Sequence, residues 1–190
     1  MFIGVLALQG DFKEHLRSLV EHGAQGLEVR TTEDLKKVDA LILPGGESTT
    51  MAKLLLSTGL DKAIRVRVQK GMPIWGTCAG AILLAKNVIS PLPLETRLGL
   101  LDMTIERNSY GRQAESFAKE IEFVESHRSE VFFIRSPRII KIGRGIKVLA
   151  RYKRDPVLVQ KGHILASTFH SELGTHNHVL EMFLACFTKI

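Results

Sequence analysis

The sequence predicts an α/β fold in which a mostly parallel β-sheet is covered by helices on both faces. Over roughly the first half of the chain, short apolar runs alternate with segments of helical spacing, which is the pattern of β-α-β units. Each of these runs is continuously apolar and does not alternate with polar residues. Continuous apolar runs are typical of strands that are buried on both faces of a parallel sheet.

The elements of this first half follow in order along the chain. Strands are predicted at Phe2–Leu8, Leu27–Arg30, Asp39–Leu43 and Pro73–Gly76. The first helix is predicted to begin after Asp11, a good capping residue, and to carry Phe12, Leu16, Leu19 and Val20 at helical spacing. Pro44-Gly45-Gly46 ends the third strand. Further helices are predicted from Thr32, after Gly46 through Gln69 with an interruption near Gly59, and over Ala79–Ala85.

The second half changes period and predicts shorter strands. Alternating runs occur at Met103–Arg107, Lys119–Val124, Val131–Ile134, Lys147–Arg151, Val157–Gln160 and Ile164–Phe169. Lys161-Gly162 fits a hairpin turn between the last two runs, and His178–Phe187 closes the chain as an amphipathic helix. We find no internal repeat and no linker, so residues 1–190 are predicted to form a single domain.

Composition excludes several classes of protein. The chain has 190 residues, of which 45% are hydrophobic and 24% charged, so it is neither disordered nor collagenous. The longest apolar runs are far shorter than the ~20 residues of a membrane span, and no signal peptide is expected. Cys78 and Cys186 make no disulfide framework, which predicts a reducing, cytoplasmic location.

The net charge of +6 is concentrated in one stretch. From Arg135 to Arg154 the chain holds many basic residues and no acidic one. Aromatic residues are nearly absent there, although a surface that binds nucleic acid by stacking needs them. We therefore expect strands with solvated basic faces, while an acidic partner surface or a phosphate-bearing molecule remains an alternative.

The segment Gly76-Thr77-Cys78-Ala79-Gly80 is the strongest local sign of catalysis. It lies where a predicted strand ends and a helix begins, which is the setting of a nucleophile elbow with cysteine in place of serine. The tight turn would hold Cys78 in a strained conformation, and the flanking glycines would allow close packing. The helix N-terminus favours a thiolate, and the Ala79 N–H could stabilise an oxyanion. A buried structural cysteine is the alternative, and Cys186 is expected in the core.

A thiolate nucleophile needs a base and a group that orients the base. His170 directly follows the strand predicted at Ile164–Phe169, and Glu172 lies two residues further on, so both side chains point to the same side of an extended chain. Strand ends are also where open α/β sheets bind ligands. The histidines of the first helix, His15 and His22, are instead expected to be exposed to solvent. Cys78, His170 and Glu172 together fit a Cys-His-Glu triad.

The loop Pro44-Gly45-Gly46-Glu47-Ser48 follows another predicted strand. Its glycine pair could present backbone N–H groups to an anion. Glu47 and Ser48 could bind a polar substrate, although capping of the next helix is the stronger expectation for Ser48.

In this order and spacing, Pro44–Ser48, Gly76–Gly80 and His170-Ser171-Glu172 resemble the class I (triad) glutamine amidotransferases. Further blocks resemble the SNO (PdxT) family of glutaminase subunits of pyridoxal 5′-phosphate synthase. They are Ala7–Phe12, Glu47–Thr50, Arg107–Gln113 and Phe133–Pro137. The resemblance runs nearly end to end and implies a flavodoxin-like, three-layer sandwich fold.

The resemblance implies a division of labour and a set of site residues. The chain would hydrolyse glutamine and pass ammonia to a (β/α)-barrel synthase subunit. The sequence shows no cluster with metal-ligand spacing, and the chemistry requires no cofactor. The residues implied to contact glutamine are Gly46, Glu47, Ser48, Arg107, Ile134 and Arg135. Gly46 and Ala79 would form the oxyanion hole, whereas Gln9, with Gly10 beside it, would lie near the partner interface.

The sequence departs from the family pattern at Ser171, where the family usually has proline. Proline would fix the backbone φ and aim His170 and Glu172, while serine can adopt the same angle at an entropic cost.

Three other functions remain open from the sequence. The glutaminase of another amidotransferase, such as imidazole glycerol phosphate synthase, would share the triad but is not expected to have the block Arg107–Gln113. A cysteine hydrolase of the PfpI/DJ-1 type is disfavoured by the late His-x-Glu pair. A flavin-binding module is disfavoured because Asp11 lies where a phosphate would bind.

Overall fold

A computed structural model describes residues 1–89, 97–107, 109, 116–124, 126–174 and 176–186. The helices are α1 (Phe12–Glu21), α2 (Thr32–Lys36), α3 (Ser48–Thr58), α4 (Leu60–Gln69), α5 (Ala79–Leu84) and α6 (His178–Ala185). The strands of the first half are β1 (Phe2–Leu6), β2 (Gln25–Val29), β3 (Ala40–Leu43), β4 (Ile74–Thr77) and β5 (Ala85–Ile89). The later strands are β6 (Leu101–Glu106), β7 (Phe117–Glu122), β8 (Arg128–Phe133), β9 (Arg138–Ile142), β10 (Lys147–Tyr152), β11 (Asp155–Lys161) and β12 (Ile164–Ser167).

The central sheet has seven strands in the order β10-β11-β12-β4-β3-β1-β2. The five strands from β12 to β2 run parallel, and β10 and β11 extend the sheet antiparallel. This mostly parallel arrangement, with helices on both faces, confirms the predicted fold class. The hairpin predicted at Lys161-Gly162 joins β11 to β12, and Gly162 has a φ of 56° there.

The period of two along each strand divides the core between the two faces of the sheet. On β1, Ile3 and Val5 face one layer while Leu6 faces the other, and on β3 Ile42 and Leu43 divide in the same way. The first layer contains α1, α6 and the hairpin β7-β8, and the second contains α2 to α5 and the small sheet β5-β6-β9. The inner strands β1, β3, β4 and β12 are therefore buried on both sides, which explains their apolar runs. The edge strand β2 is mostly exposed, so the expectation of a buried strand there is wrong.

Most differences from the predicted elements concern their ends. Gly59 separates α3 from α4 as expected, with a φ of 71°. The helix predicted over Ala79–Ala85 ends at Leu84, and the chain continues as a strand, β5, that the sequence analysis did not anticipate. The basic stretch Arg135–Arg154 contains the strands β9 and β10. In the described part of the chain, no helix is long and apolar enough to span a membrane.

The first helix buries a different stripe from the one predicted. Val20 is 71% exposed, whereas His15, Ser18 and Leu19 are buried. Phe12 and Leu16 pack only partly against the core. The stripe is rotated toward His15 because this side of α1 packs against Trp75 of β4 and against Glu172.

Candidate active site

Cys78 lies in a sharp turn between β4 and α5. Its backbone has φ 50° and ψ −101°, a left-handed conformation that costs a non-glycine residue strain energy. The Cys78 N–H donates a hydrogen bond of 2.8 Å to the Ser167 carbonyl of β12. A Cβ atom at Gly80 would lie 2.2 Å from the Leu43 carbonyl oxygen, so only glycine permits this approach of α5 to β3. The strained elbow expected from the sequence is present.

His170 is held just beyond β12 by its own backbone. Its N–H donates to the Phe132 carbonyl at 2.8 Å, and its carbonyl accepts from the Phe132 N–H at 3.0 Å. The side chain is buried, and its Nδ1 lies 2.6 Å from Glu172 Oε1. Burial lowers the pKa of His170, but the Glu172 charge and hydrogen bonds with Cys78 and Glu172 raise it well above its ordinary value. An imidazolium at this position is therefore stabilised.

Ser171, in place of the family's usual proline, is 1% exposed. The two hydrogen bonds between His170 and Phe132 fix the backbone next to it. Tertiary contacts thus supply rigidity that proline would supply locally.

Glu172 lies behind His170 and is 1% exposed. Its Oε1 faces not only His170 but also Nε2 of His15, at 3.5 Å. Burial raises the pKa of Glu172, yet the two imidazoles together hold it below its ordinary value. The expectation that His15 is exposed is wrong, since His15 is 1% exposed. Its position three residues after Phe12 and four before Leu19, on one helical stripe, is the sequence signal that could have revealed it.

The loop between β3 and α3 is joined to the segment that follows β1. The Asp11 N–H donates to the Gly45 carbonyl at 3.0 Å, and the Glu47 N–H donates to Gln9 Oε1 at 2.8 Å. Gly46 has a φ of 153°, and a Cβ atom there would lie 2.6 Å from Gln9 Oε1. Any movement of Gln9 would therefore displace the backbone at Gly46.

Glu47, and not Ser48, caps α3. Its carboxylate accepts from the backbone N–H groups of Thr49 and Thr50 at 3.0 Å and 2.8 Å, so the expected cap at Ser48 is wrong. Partial burial raises the pKa of Glu47, but these hydrogen bonds outweigh it and lower the value to about 2. Arg107 Nη2 lies 3.3 Å from Glu47 Oε1 and 3.4 Å from Thr49 Oγ1.

A cavity of about 540 Å³ brings nearly all the predicted site residues together. Those lining it are Gln9, Gly10, Gly46, Glu47, Ser48, Cys78, Ala79, Arg107, Ile134, Arg135 and His170. Glu172 lies behind its wall. The sequence analysis missed three further lining residues, Asp11, Ile82 and Leu173.

Ile134 and Arg135 reach the cavity from the end of β8. Cys78 Sγ lies 3.9 Å from the Ile134 carbonyl oxygen. Arg135 has a φ of 46°, so its backbone is strained at the cavity wall. Of the block Arg107–Gln113, only residues 107 and 109 are within the described part of the chain.

A further expectation concerns Cys186, which lies away from the cavity. Cys186 is only partly buried, and its thiol donates to the Met182 carbonyl at 3.4 Å, so it packs at the border of the core and not within it. Among the described residues, no three His, Cys, Asp or Glu side chains are grouped so that they could hold a metal ion.

Comparison with known proteins places this chain in a family. The model of the SNO glutamine amidotransferase family matches residues 5–189. The chain belongs to that family. Among its relatives are proteins named pyridoxal 5′-phosphate synthase subunit PdxT from Pseudothermotoga lettingae and Thermus thermophilus. Each is 47% identical to this chain; the matches cover 96% and 95% of this chain and 95% and 96% of the relatives.

Solved structures share the fold of this chain. The crystal structure of a glutamine amidotransferase superposes with a TM-score of 0.92 at 45% identity, and the match covers 97% of both chains. The structure of PurLQS from Thermotoga maritima superposes with a TM-score of 0.72 at 17% identity, which shows a shared fold alone.

Proposed function

We propose that this chain hydrolyses L-glutamine to L-glutamate and ammonia, as the glutaminase subunit of a pyridoxal 5′-phosphate synthase. The observation that carries the proposal is the alignment of Cys78, His170 and Glu172 at one cavity. A nucleophile on a strained elbow, a base with a raised pKa and a buried carboxylate that orients the base are the parts that acyl transfer needs. The names of the relatives supply the substrate and the larger enzyme.

The first step forms a covalent bond between the protein and the substrate. The Cys78 thiol gives its proton to His170, and the thiolate attacks the carboxamide carbon of glutamine. The carbonyl electrons move to oxygen, which becomes an oxyanion. Glu172, 2.6 Å from His170 Nδ1, stabilises the imidazolium that results.

We assign the oxyanion hole to the backbone N–H groups of Gly46 and Ala79. The first N–H groups of a helix have no acceptor within the helix, and Ala79 is the first residue of α5. Gly46 lines the same cavity from the β3–α3 loop. The loss of one such donor typically costs about 10²–10³ in rate, so the position of the Gly46 loop would control activity.

The second half of the reaction releases both products. His170 returns its proton to the amide nitrogen, the C–N bond breaks and ammonia leaves a γ-glutamyl thioester on Cys78. His170 then takes a proton from water, and the hydroxide attacks the thioester. The C–S bond breaks, glutamate leaves and the proton returns to the Cys78–His170 pair.

The charged groups around the cavity fit a free amino acid. Arg107 or Arg135 would pair with the α-carboxylate of glutamine. Glu47 and Ser48 would bind the remaining polar groups of the substrate, together with the backbone at Gly46 and Ile134. All six residues line the cavity.

Ammonia would pass through a protected channel to a partner subunit, which we propose to be a (β/α)-barrel synthase that makes pyridoxal phosphate from two sugar phosphates. We place the interface near Gln9 and Gly10. Because Gln9 accepts the Glu47 N–H, docking there would move the Gly46 loop and complete the oxyanion hole. The free chain would then be nearly inactive.

A reduced thiol at Cys78 also requires a reducing compartment, which supports a cytoplasmic location.

The experiment that tests this function measures ammonia release from glutamine with and without the purified synthase subunit. We expect hydrolysis that depends on the partner and is abolished by Cys78→Ala, although Cys78→Ala still forms the complex. Cys186→Ser is the matched control, since Cys186 directly follows α6 and lies outside the cavity, and it should keep wild-type activity.

Either of two results would contradict the proposal. A complex that forms but releases no ammonia would exclude the glutaminase. Equal turnover with and without the partner would exclude control by docking.

A further inference from the structure

A second imidazole lies against the carboxylate of the triad. His15 is on α1, is 1% exposed, and its Nε2 is 3.5 Å from Glu172 Oε1. That same oxygen receives the His170 Nδ1 contact at 2.6 Å. His15 does not line the cavity. It therefore meets the triad from behind, on the side away from the substrate.

The surroundings of Glu172 leave hydrogen-bonding capacity unused. Within the described residues, Glu172 Oε2 and His15 Nε2 are both buried without a hydrogen-bond partner. A buried carboxylate is costly unless it is paired and receives hydrogen bonds. A proton on His15 Nε2 would supply a second donor to the carboxylate beside the one from His170.

Packing fixes the orientation of the His15 ring. The ring meets Trp75 edge-on, with centroids 5.2 Å apart and planes at 88°. The Trp75 indole N–H donates to Ser167 Oγ at 3.0 Å. One turn along α1, Ser18 Oγ accepts from Asn177 Nδ2 at 3.0 Å. Trp75 thus packs edge-on against the ring, and the Ser18–Asn177 hydrogen bond ties the next turn of α1 to the start of α6.

We propose that His15 is a positioning residue of the triad. Its neutral ring carries the proton on Nε2 and directs it at Glu172, so that the carboxylate stays ionised and stays against His170 Nδ1. His15 touches neither glutamine nor the thiol and acts only through Glu172. The inference rests on the proposed glutaminase activity, and its test includes readouts that do not depend on that activity.

The charges around the pair set the expected pH dependence. Burial lowers the pKa of His15, as does the nearby His170, whereas Glu172, Asp11 and Glu14 raise it; the net result is a lowered pKa and a neutral ring. Glu172 faces His15 and His170, which together lower its pKa against the effect of burial. Removal of His15 therefore raises the pKa of Glu172. The loss of activity at low pH should then begin at a higher pH.

The decisive variant is His15→Phe, which keeps a ring against Trp75 and removes the donor. In the complex with the synthase, we expect kcat for glutamine to fall about 10- to 100-fold, the usual range for a lost hydrogen bond to a charged group. KM should change by less than about twofold, because the cavity wall is untouched. The acid limb of the kcat profile should move to higher pH.

Two further variants separate donation from packing. His15→Gln retains an N–H donor and should restore most of kcat and the wild-type acid limb. His22→Phe makes the same substitution at the end of α1, away from the triad, and should leave both unchanged. An unchanged kcat in a folded His15→Phe protein would overturn the proposal, and so would a His15→Gln variant as impaired as His15→Phe.

Alkylation of Cys78 tests the proposal without glutamine or partner. The rate with iodoacetamide, followed at the Cys78 peptide by mass spectrometry, should decline at a higher pH in His15→Phe than in the wild type. Superimposable profiles would contradict the inference. A wild-type complex that releases no ammonia would refute the proposed function alone, since the alkylation profiles would still be measurable.

A measurement on the wild-type chain covers the case in which His15→Phe fails to fold. ¹⁵N resonances of the histidine rings report which nitrogen carries the proton. We expect a neutral His15 with its proton on Nε2 at pH 7. A ring with the proton on Nδ1 alone would overturn the proposal.

Discussion

Arg107 is positioned by the carboxylate of Glu47, and in the proposed function it would also bind the α-carboxylate of the substrate. Its Nη2 lies 3.3 Å from Glu47 Oε1, and its side chain is 20% exposed at the cavity wall. Glu47 already uses both oxygens to cap α3, so its pairing with Arg107 is long and leaves the guanidinium free to bind a second acceptor. In the function proposed above, this pair would present a fixed cation to glutamine.

Arg107→Ala should raise KM for glutamine about 10- to 100-fold, because a charge-assisted contact to the α-carboxylate is lost. The effect on kcat should be smaller, since Arg107 binds ground state and transition state alike. Saturation curves of the complex test this. Arg17→Ala removes an exposed arginine that pairs with Glu14 on α1 and should change neither constant. Unchanged saturation in Arg107→Ala would remove this residue from the site.

At the scale of elements, the loops that follow β1 and β3 behave as one unit. Gln9 and Asp11 hydrogen-bond to Glu47 and Gly45, and α3 begins at the end of the same loop with Glu47 as its cap. The start of α3 therefore fixes the loop that we assign to the oxyanion hole.

Because Glu47 caps α3 as a carboxylate, we expect the stability of the fold to depend on pH. The pKa of Glu47 falls from its ordinary value of 4.5 to about 2 in the folded chain. A lowered pKa stabilises the fold above pH 4.5, and this contribution is lost as the pH falls toward 2. Wild type should thus be more stable than Glu47→Gln at neutral pH, and the difference should close in that window. Urea unfolding at a series of pH values measures it, and a difference independent of pH would contradict this origin.

At the scale of the whole molecule, the site exists because the carboxyl ends of four parallel strands meet at one edge. β1 leads to Gln9, β3 to Gly46, β4 to Cys78 and β12 to His170. Close packing of α5 on β3 holds this edge together at Gly80, where the backbones leave no room for a side chain.

Gly80→Ala should therefore lower the free energy of unfolding by about 1–3 kcal/mol, as overpacking does, and should reduce activity by displacing Cys78. The clash at Gly80 is with the Leu43 carbonyl, which belongs to the central sheet and has little freedom to move. At Gly26 an added Cβ meets the end of the Leu16 side chain at 2.7 Å, which can shift. Gly26→Ala is thus the control, and it should lower the free energy of unfolding by less than Gly80→Ala does. Equal losses in denaturant unfolding would refute the role of backbone contact.

The sequence by itself determined the fold class and the elements that carry the proposed triad. Continuous apolar runs identified the buried parallel strands, and local spacing placed Cys78 at an elbow and Glu172 two residues after His170. These inferences depend on backbone periods of two and 3.6 residues, which local sequence expresses directly.

Only the tertiary structure decided which surfaces meet. His15 was expected in solvent because a polar residue on an amphipathic helix is usually exposed, yet the way α1 packs brings it to Glu172, far away along the chain. The approach of Arg107 to Glu47 and the two hydrogen bonds between Phe132 and His170 also join distant segments. Such contacts depend on the angle at which layers pack and on where a helix begins. Neither is encoded within a few residues, so the surroundings of the triad could be described only once the chain was folded.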